Sequence, residues 1–237
     1  MSERKPTVVL VHGAFAESAS WSGVVERLRA RSIEAVAVAN PLRGIARDAA
    51  YLRDVVASIP GPVVLVGHSY GGMVITQAAA GNDGVTGLVY VCAFAPDHDE
   101  SALQLSTKFP GGTLGDALTA YPLSFGGNEF AIRREAFHAQ FAADVPAQQA
   151  AVLAATQRPV TEAALIAGLP TESPAWRSRP SWFVFGDQDR NIPVALHRWM
   201  ADRAGAKETH QIAGASHALS VSQPAAVTET IRAAVAA

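Results

Sequence analysis

Residues Pro62–Ile75 read PVVLVGHSYGGMVI, a buried-looking apolar run that breaks at one serine between glycines and then resumes. The valines of the first half suit a strand covered on both faces. From Tyr70 to Ala80 the pattern becomes that of a helix carrying small residues. Ser69 stands at the junction, where the backbone has to turn sharply. Gly67 and Gly71 lack Cβ atoms, so strand and helix can close on each other around a strained position. A serine held this way projects its hydroxyl clear of the sheet, which is the geometry of a G-x-S-x-G nucleophile. Five residues alone would equally suit a glycine-rich turn whose serine caps a helix. The strand before and the helix after favour the nucleophile, and the rest of the chain must then supply a base, an acid and an oxyanion site.

Outward from this stretch, apolar runs alternate with helical patterns. Strands are expected at Thr7–Val11, Ile33–Val38, Gly87–Phe94, Ser181–Phe185 and Glu208–Ile212. Helices are expected at Ser20–Arg31, Ala46–Ile59, Pro193–Arg203 and Gln223–Val235, with Pro193 and Pro224 in first turns, where proline is tolerated. Strands separated by helices of this length imply βαβ crossovers and a parallel sheet, here of about six strands. Between Ala95 and Arg179 the alternation stops, and prolines and glycines break up helical pieces such as Glu129–Ala142 and Ala147–Gln157. Some eighty residues between two parallel strands are too many for one structureless loop. The expectation is a mainly helical cap over residues 96–179, inserted into a core formed by residues 1–95 and 180–237. The cap is placed over the carboxyl ends of the strands, where Ser69 opens.

The partners of Ser69 follow from position. The loop FGDQDRNIP, residues 185–193, offers two acids at a strand's carboxyl end, and IAGASHA, residues 212–218, offers His217 after the last strand. The order Ser, Asp, His is that of one known triad arrangement. Serine is a weak nucleophile until an imidazole takes its proton, and a carboxylate fixes that imidazole's tautomer and stabilises its charged form. Asp187 directly follows Gly186 and could cap the turn. Asp189 lies deeper in the loop and is favoured as the acid, with Asp187 as the alternative. His210 falls in a strand pattern, His197 in a helix, and His98 and His138 in or beside the cap, so none competes with His217 as base. Acyl transfer also needs backbone N–H donors for the developing oxyanion. The candidates are the amides of Tyr70, at the start of the elbow helix, and of Ala14, in the VHGAF loop after the first strand. Phe15, Trp21 and Phe94 lie near these loops and are candidate pocket residues.

Composition limits the alternatives. The chain has 237 residues, 49% hydrophobic and 17% charged, enough for one substantial core. A net charge of −2 advertises no basic face for nucleic acid. The seven histidines are scattered, and Cys92 is the only cysteine, so no metal site or intrachain disulfide is expected. The five-residue apolar run before His12 is too short for a signal peptide, and no stretch is long enough to span a membrane. The expectation is a cytoplasmic protein with no cofactor, a small-molecule substrate, no nucleic-acid or membrane partner, and homodimerisation as the base-rate assembly.

LVHGAF, GHSYGGM, GDQDRNIP and GASHALSVSQP, in this order and spacing, resemble the α/β-hydrolase superfamily. More narrowly they are similar to its small esterase and hydroxynitrile-lyase branch, with plant methylesterases and bacterial carboxylesterases. The likeness covers both core portions well and the cap poorly. It implies an α/β-hydrolase fold, Asp189 as the second Asp of a D-Q-D acid loop, and Ala14 and Tyr70 as oxyanion donors. The lyases of this branch carry a threonine after the first motif's histidine and a lysine after the catalytic one. Gly13 and Ala218 stand there in this chain, the esterase-like choices. The resemblance therefore implies a serine hydrolase of a small, largely apolar ester or lactone. Cofactor-independent dioxygenases, lyases and triad-bearing ligand receptors of the same fold stand as alternatives.

Overall fold

The computed structural model describes residues 5–237. In chain order the core begins with β1 (Thr7–Val11), α1 (Ser22–Arg29), β2 (Ala35–Val38), α2 (Ile45–Ala57), β3 (Val63–His68), α3 (Gly71–Ala79) and β4 (Val85–Val91). An insertion follows, with α4 (Ala102–Ser106), α5 (Leu114–Ala117), β5 (Leu118–Pro122), β6 (Asn128–Ile132), α6 (Arg134–Phe141), α7 (Ala147–Thr156), β7 (Val160–Thr161) and α8 (Glu162–Ile166). The core resumes with β8 (Ser181–Gly186), α9 (Val194–Arg203), β9 (Glu208–Ile212), α10 (Leu219–Ser222) and α11 (Pro224–Ala236).

The main sheet has six strands in the order β2-β1-β3-β4-β8-β9, with every pair parallel. Every residue of β3 and β8 is buried, which is why their sequences run apolar without alternation. Each fully buried Val or Leu side chain contributes about 1.5–3 kcal/mol of apolar transfer energy, so these central strands anchor the core. Helix α3 packs on β3 and β4 with α2 beside it, while α11 lies along β8, β4 and β3 with α1 beside it. The strand order reverses between β1 and β3. Loops leaving their carboxyl ends diverge there and open a crevice, the usual ligand position in open α/β sheets.

The insertion is mainly helical, as expected, but it also holds strands that the sequence reading did not foresee. It contains a three-stranded antiparallel sheet in the order β5-β6-β7, and β6 together with α6 replaces the single helix expected over Glu129–Ala142. Gly126 and Gly127, both at positive φ, make the turn between β5 and β6. Glu129 is buried in β6, where it pairs with the Arg43 guanidinium and accepts from the Tyr121 hydroxyl. This tertiary pairing overrides the helical preference of the local sequence.

Gly186 ends β8 under the loop that leads to His217. A Cβ built there would lie 2.0 Å from the Ala215 carbonyl oxygen and 3.0 Å from that of Ser216. Both obstacles are backbone and cannot rotate away. Gly186→Ala is expected to cost about 3 kcal/mol, at the upper end of overpacking penalties. Urea denaturation would read the loss, and an unchanged midpoint would show that the loop after β9 tolerates displacement.

Candidate active site

Ser69 sits between β3 and α3 with φ 54°, a left-handed conformation that costs a non-glycine residue about 1–2 kcal/mol. Three backbone hydrogen bonds hold it there. Its N–H donates to Val91 O, and its carbonyl accepts from the N–H groups of Gly72 and Phe94. The flanking glycines make the turn possible. A Cβ on Gly67 would lie 2.6 Å from Gly71 O, and one on Gly71 only 2.4 Å from Val11 O. Strand, helix and the β1 loop therefore close around the serine as the sequence implied.

The loop after β1 is fixed by His12. Its Nε2 accepts the Asn40 N–H at 3.0 Å, so the ring proton is on Nδ1, which donates to Gly13 O at 2.9 Å. Burial holds this imidazole below its usual range, in keeping with a neutral ring. Asn40 returns a side-chain N–H to His12 O, which locks the loop from both sides. Among the described residues, the Ala14 and Tyr70 amides donate to no other backbone group, and both residues face the same cavity as Ser69. Tyr70 is anchored in turn through its hydroxyl, which donates to the buried carboxylate of Asp48 at 3.0 Å. Asp48 also accepts the N–H groups of Arg43 and Gly44.

His217 Nδ1 lies 2.7 Å from Asp189 Oδ2, and both side chains are fully buried. Asp189 Oδ1 accepts the N–H groups of Asn191 and Ile192 at 2.8 and 2.9 Å. Burial works against its charge, but the imidazole of His217 and hydrogen bonds from two histidines outweigh it. The carboxyl is held well below the ordinary range. Asp187 instead accepts the Gly214 N–H and ties the loop after β8 to the loop after β9. His217 Nε2 has no partner among the described residues and is the ring atom left to take a proton.

Two histidines that sequence reasoning passed over support this pair. His68, next to the serine, contacts the carbonyl of His217 through Nε2 at 3.0 Å, and its ring lies 4.8 Å from the His217 ring. Burial, with His217 beside it, pushes its pKa down to about 3. His197, in α9, brings Nε2 to 3.1 Å from the same Asp189 oxygen that faces His217. The signal for His197 was its place on the apolar face of α9 beside Leu196, Met200 and Ala201. Cys92, Asp189 and His197 are the one candidate metal-ligand trio found among the described residues, their ligand atoms within 4.8 Å of one another. Asp189 already spends both oxygens on four donors there, and burial pushes the Cys92 thiol up, away from the thiolate a metal needs.

The cavity at Ser69 has a volume of about 280 Å³. Ala14, Phe15 and Phe94 line it from the core, and Leu103, Leu118 and Leu165 from the insertion. Asp116 is the only acidic or basic residue among the described residues of its wall. Phe15 also borders a second cavity of about 300 Å³ under α6 and α7, reaching His68. Trp21 corrects the sequence reading. It is fully buried in the core, edge-on to the His68 ring at 6.3 Å, and lines neither cavity.

A family model described as the alpha/beta hydrolase family matches residues 8–230. The chain belongs to that family. It is 35% identical over 126 residues to the alpha/beta hydrolase nvfD of Aspergillus novofumigatus, covering 45% of this chain and 50% of that one. It is 44% identical over 63 residues to a carbendazim-hydrolyzing esterase of Nocardioides, covering 24% and 26%. The chain thus matches half or less of the length of these curated relatives. The crystal structure of polyneuridine aldehyde esterase superposes with a TM-score of 0.81 at 23% identity, covering 97% of this chain and 99% of that one. That likeness establishes the fold over nearly the whole length. No helix among the described residues is long and apolar enough to cross a membrane.

The buried imidazoles have a consequence for stability. His12, His68 and His197 are all held below 6.5, so below that pH the unfolded chain binds more protons than the folded one. Their stabilising effect is complete above pH 6.5 and is lost as pH falls. For His68 the loss is about 1.4 kcal/mol per pH unit down to about pH 3. Asp189 keeps its contribution until pH drops below 3.8, and Asp48, pushed up by burial, opposes the trend. A net loss of about 2–4 kcal/mol between pH 7 and 4.5 is expected in urea titrations. A flat profile would mean that these rings gain protons in place.

Proposed function

We propose that this chain is a serine hydrolase of small, largely apolar carboxylic esters or lactones. The observation that carries the reading is the buried 2.7 Å contact of Asp189 with His217, whose other ring nitrogen is free. With Asp189 fixing the Nδ1–H tautomer, His217 Nε2 takes the Ser69 proton as the oxygen attacks the carbonyl carbon. The oxyanion is received by the Ala14 and Tyr70 amides, the latter at the positive end of α3. His217 then gives the proton to the leaving alcohol. A water molecule, deprotonated by the same nitrogen, attacks the acyl-enzyme and releases the acid. The aliphatic and aromatic wall suits an apolar acyl or alcohol group, and its volume suits a small one. Two similar proteins carry the name esterase, which supports ester cleavage within the family.

The gap at Gly13 speaks against the lyase alternative. A Cβ there would lie 2.6 Å from both Ser69 Cβ and His68 O, so this backbone has no room for the lyases' threonine. The test is turnover of p-nitrophenyl acetate and butyrate without added metal or cofactor, beside oxygen consumption. Continuous release of acid with no oxygen uptake is expected. Oxygen uptake without acid release would move the reading to a dioxygenase, and tight ligand binding without turnover to a receptor.

A further inference from the structure

Asp189 receives four donors, and one of them has no place in the mechanism above. Its Oδ1 accepts two backbone N–H groups, while Oδ2 faces His217 Nδ1 at 2.7 Å and His197 Nε2 at 3.1 Å. His197 is fully buried, and its ring stacks on Phe185 at 4.7 Å with an interplanar angle of 9°. Its Nδ1 is buried without a partner. A proton at Nδ1 would bury an unsatisfied N–H, whereas one at Nε2 finds the carboxylate, so the ring is the neutral Nε2–H tautomer. Burial, the largest influence on this imidazole, also disfavours its charged form. The titratable groups that face it are Asp189 from the loop after β8, His217 from the loop after β9, and the Cys92 thiol at the end of β4.

We propose that His197 is a positioning residue for the Asp189–His217 pair, whose Nε2–H pins the carboxylate oxygen shared with His217 and draws charge from it. The inference rests on the triad reading above. A carboxylate that already accepts a neutral donor stabilises an imidazolium less than a bare one does. The bond from His197 therefore weakens the hold of Asp189 on a charged partner ring, and the acid limb of activity is expected to lie lower with it than without it. It also fixes Oδ2, since the two backbone donors hold only Oδ1. His197 lines neither cavity and has no route to the substrate.

The test is the pH profile of kcat/KM and kcat for p-nitrophenyl butyrate in the wild type, His197→Phe and His197→Gln. Phenylalanine removes the donor and keeps a ring against Phe185, and glutamine retains an N–H able to reach Asp189. The acid limb of His197→Phe is expected to move up by about 0.5–1 pH unit. Its plateau kcat should fall about 3–10-fold with KM unchanged, and His197→Gln should restore the wild-type limb. A packing role alone would lower kcat or stability without moving the limb, and that result would overturn the proposal. If His197→Phe does not fold, the donor-free His197→Met takes its place, and a limb raised by about half a unit or more there supports the donor role while an unmoved limb overturns it. A limb in His197→Gln displaced as for a lost donor, by about half a unit or more upward, counts against it. An inactive wild type would instead remove the triad reading on which the inference stands.

Discussion

Ser69→Ala is expected to lower kcat by about five orders of magnitude while leaving KM and the urea midpoint nearly unchanged. The methyl side chain fits the same left-handed turn, because the three backbone hydrogen bonds of residue 69 do not involve its hydroxyl. What disappears is the hydroxyl proposed to attack the carbonyl carbon, while the Ala14 and Tyr70 amides stay in the wall of the same cavity. A small residual rate should survive from the oxyanion site, where a water molecule can attack a carbonyl still polarised by Ala14 and Tyr70. Steady-state rates of p-nitrophenyl butyrate hydrolysis, after exhaustive purification from wild-type protein, measure the effect. A loss of less than about tenfold would place the nucleophile elsewhere.

Asp189→Asn is expected to reduce kcat by about four orders of magnitude through a different route. The two backbone donors from Asn191 and Ile192 require an acceptor, so the amide oxygen takes the place of Oδ1. The amide nitrogen then faces the Nδ1 of His217 and the Nε2 of His197, where two donors now stand in the wild type. Donor against donor is avoided only if His217 moves its proton to Nε2. That nitrogen can no longer take the serine proton. The fold should survive, since the substitution conserves shape, although both histidines lose a charged acceptor. Near-wild-type activity in Asp189→Asn, with Asp187→Asn inactive, would exchange the roles of these two acids.

Much of this site was legible in the sequence because its geometry is encoded by short-range constraints. Gly67 and Gly71 had to lack Cβ atoms for β3 and α3 to meet, and the close approaches of 2.6 and 2.4 Å are the physical form of that requirement. The runs at Thr7–Val11 and Glu208–Ile212 matched their strands to the residue. The pairing of Asp189 with His217 was legible because both lie in loops that follow neighbouring parallel strands. The remainder depends on contacts distant in sequence. His197 reads as one more residue on the buried face of α9 until β8 brings Asp189 to it. Asp48 reads as a first-turn helix acid, yet its carboxylate holds the hydroxyl of Tyr70. Glu129 reads as helical, but Arg43 and Tyr121 draw it into β6. Trp21 has the spacing of a core residue and is one, packed behind His68 rather than facing the cavity at Ser69.

The most direct measurement is the intact mass of the protein after reaction with an excess of an alkyl phosphonofluoridate, followed by peptide mapping. Activation of Ser69 by His217 predicts one phosphonyl group per chain, on the peptide that carries Ser69. Labelling and loss of esterase activity should proceed at the same rate, and His217→Ala should label far more slowly. Adducts spread over surface serines and tyrosines, or full inactivation with Ser69 unmodified, would contradict the account.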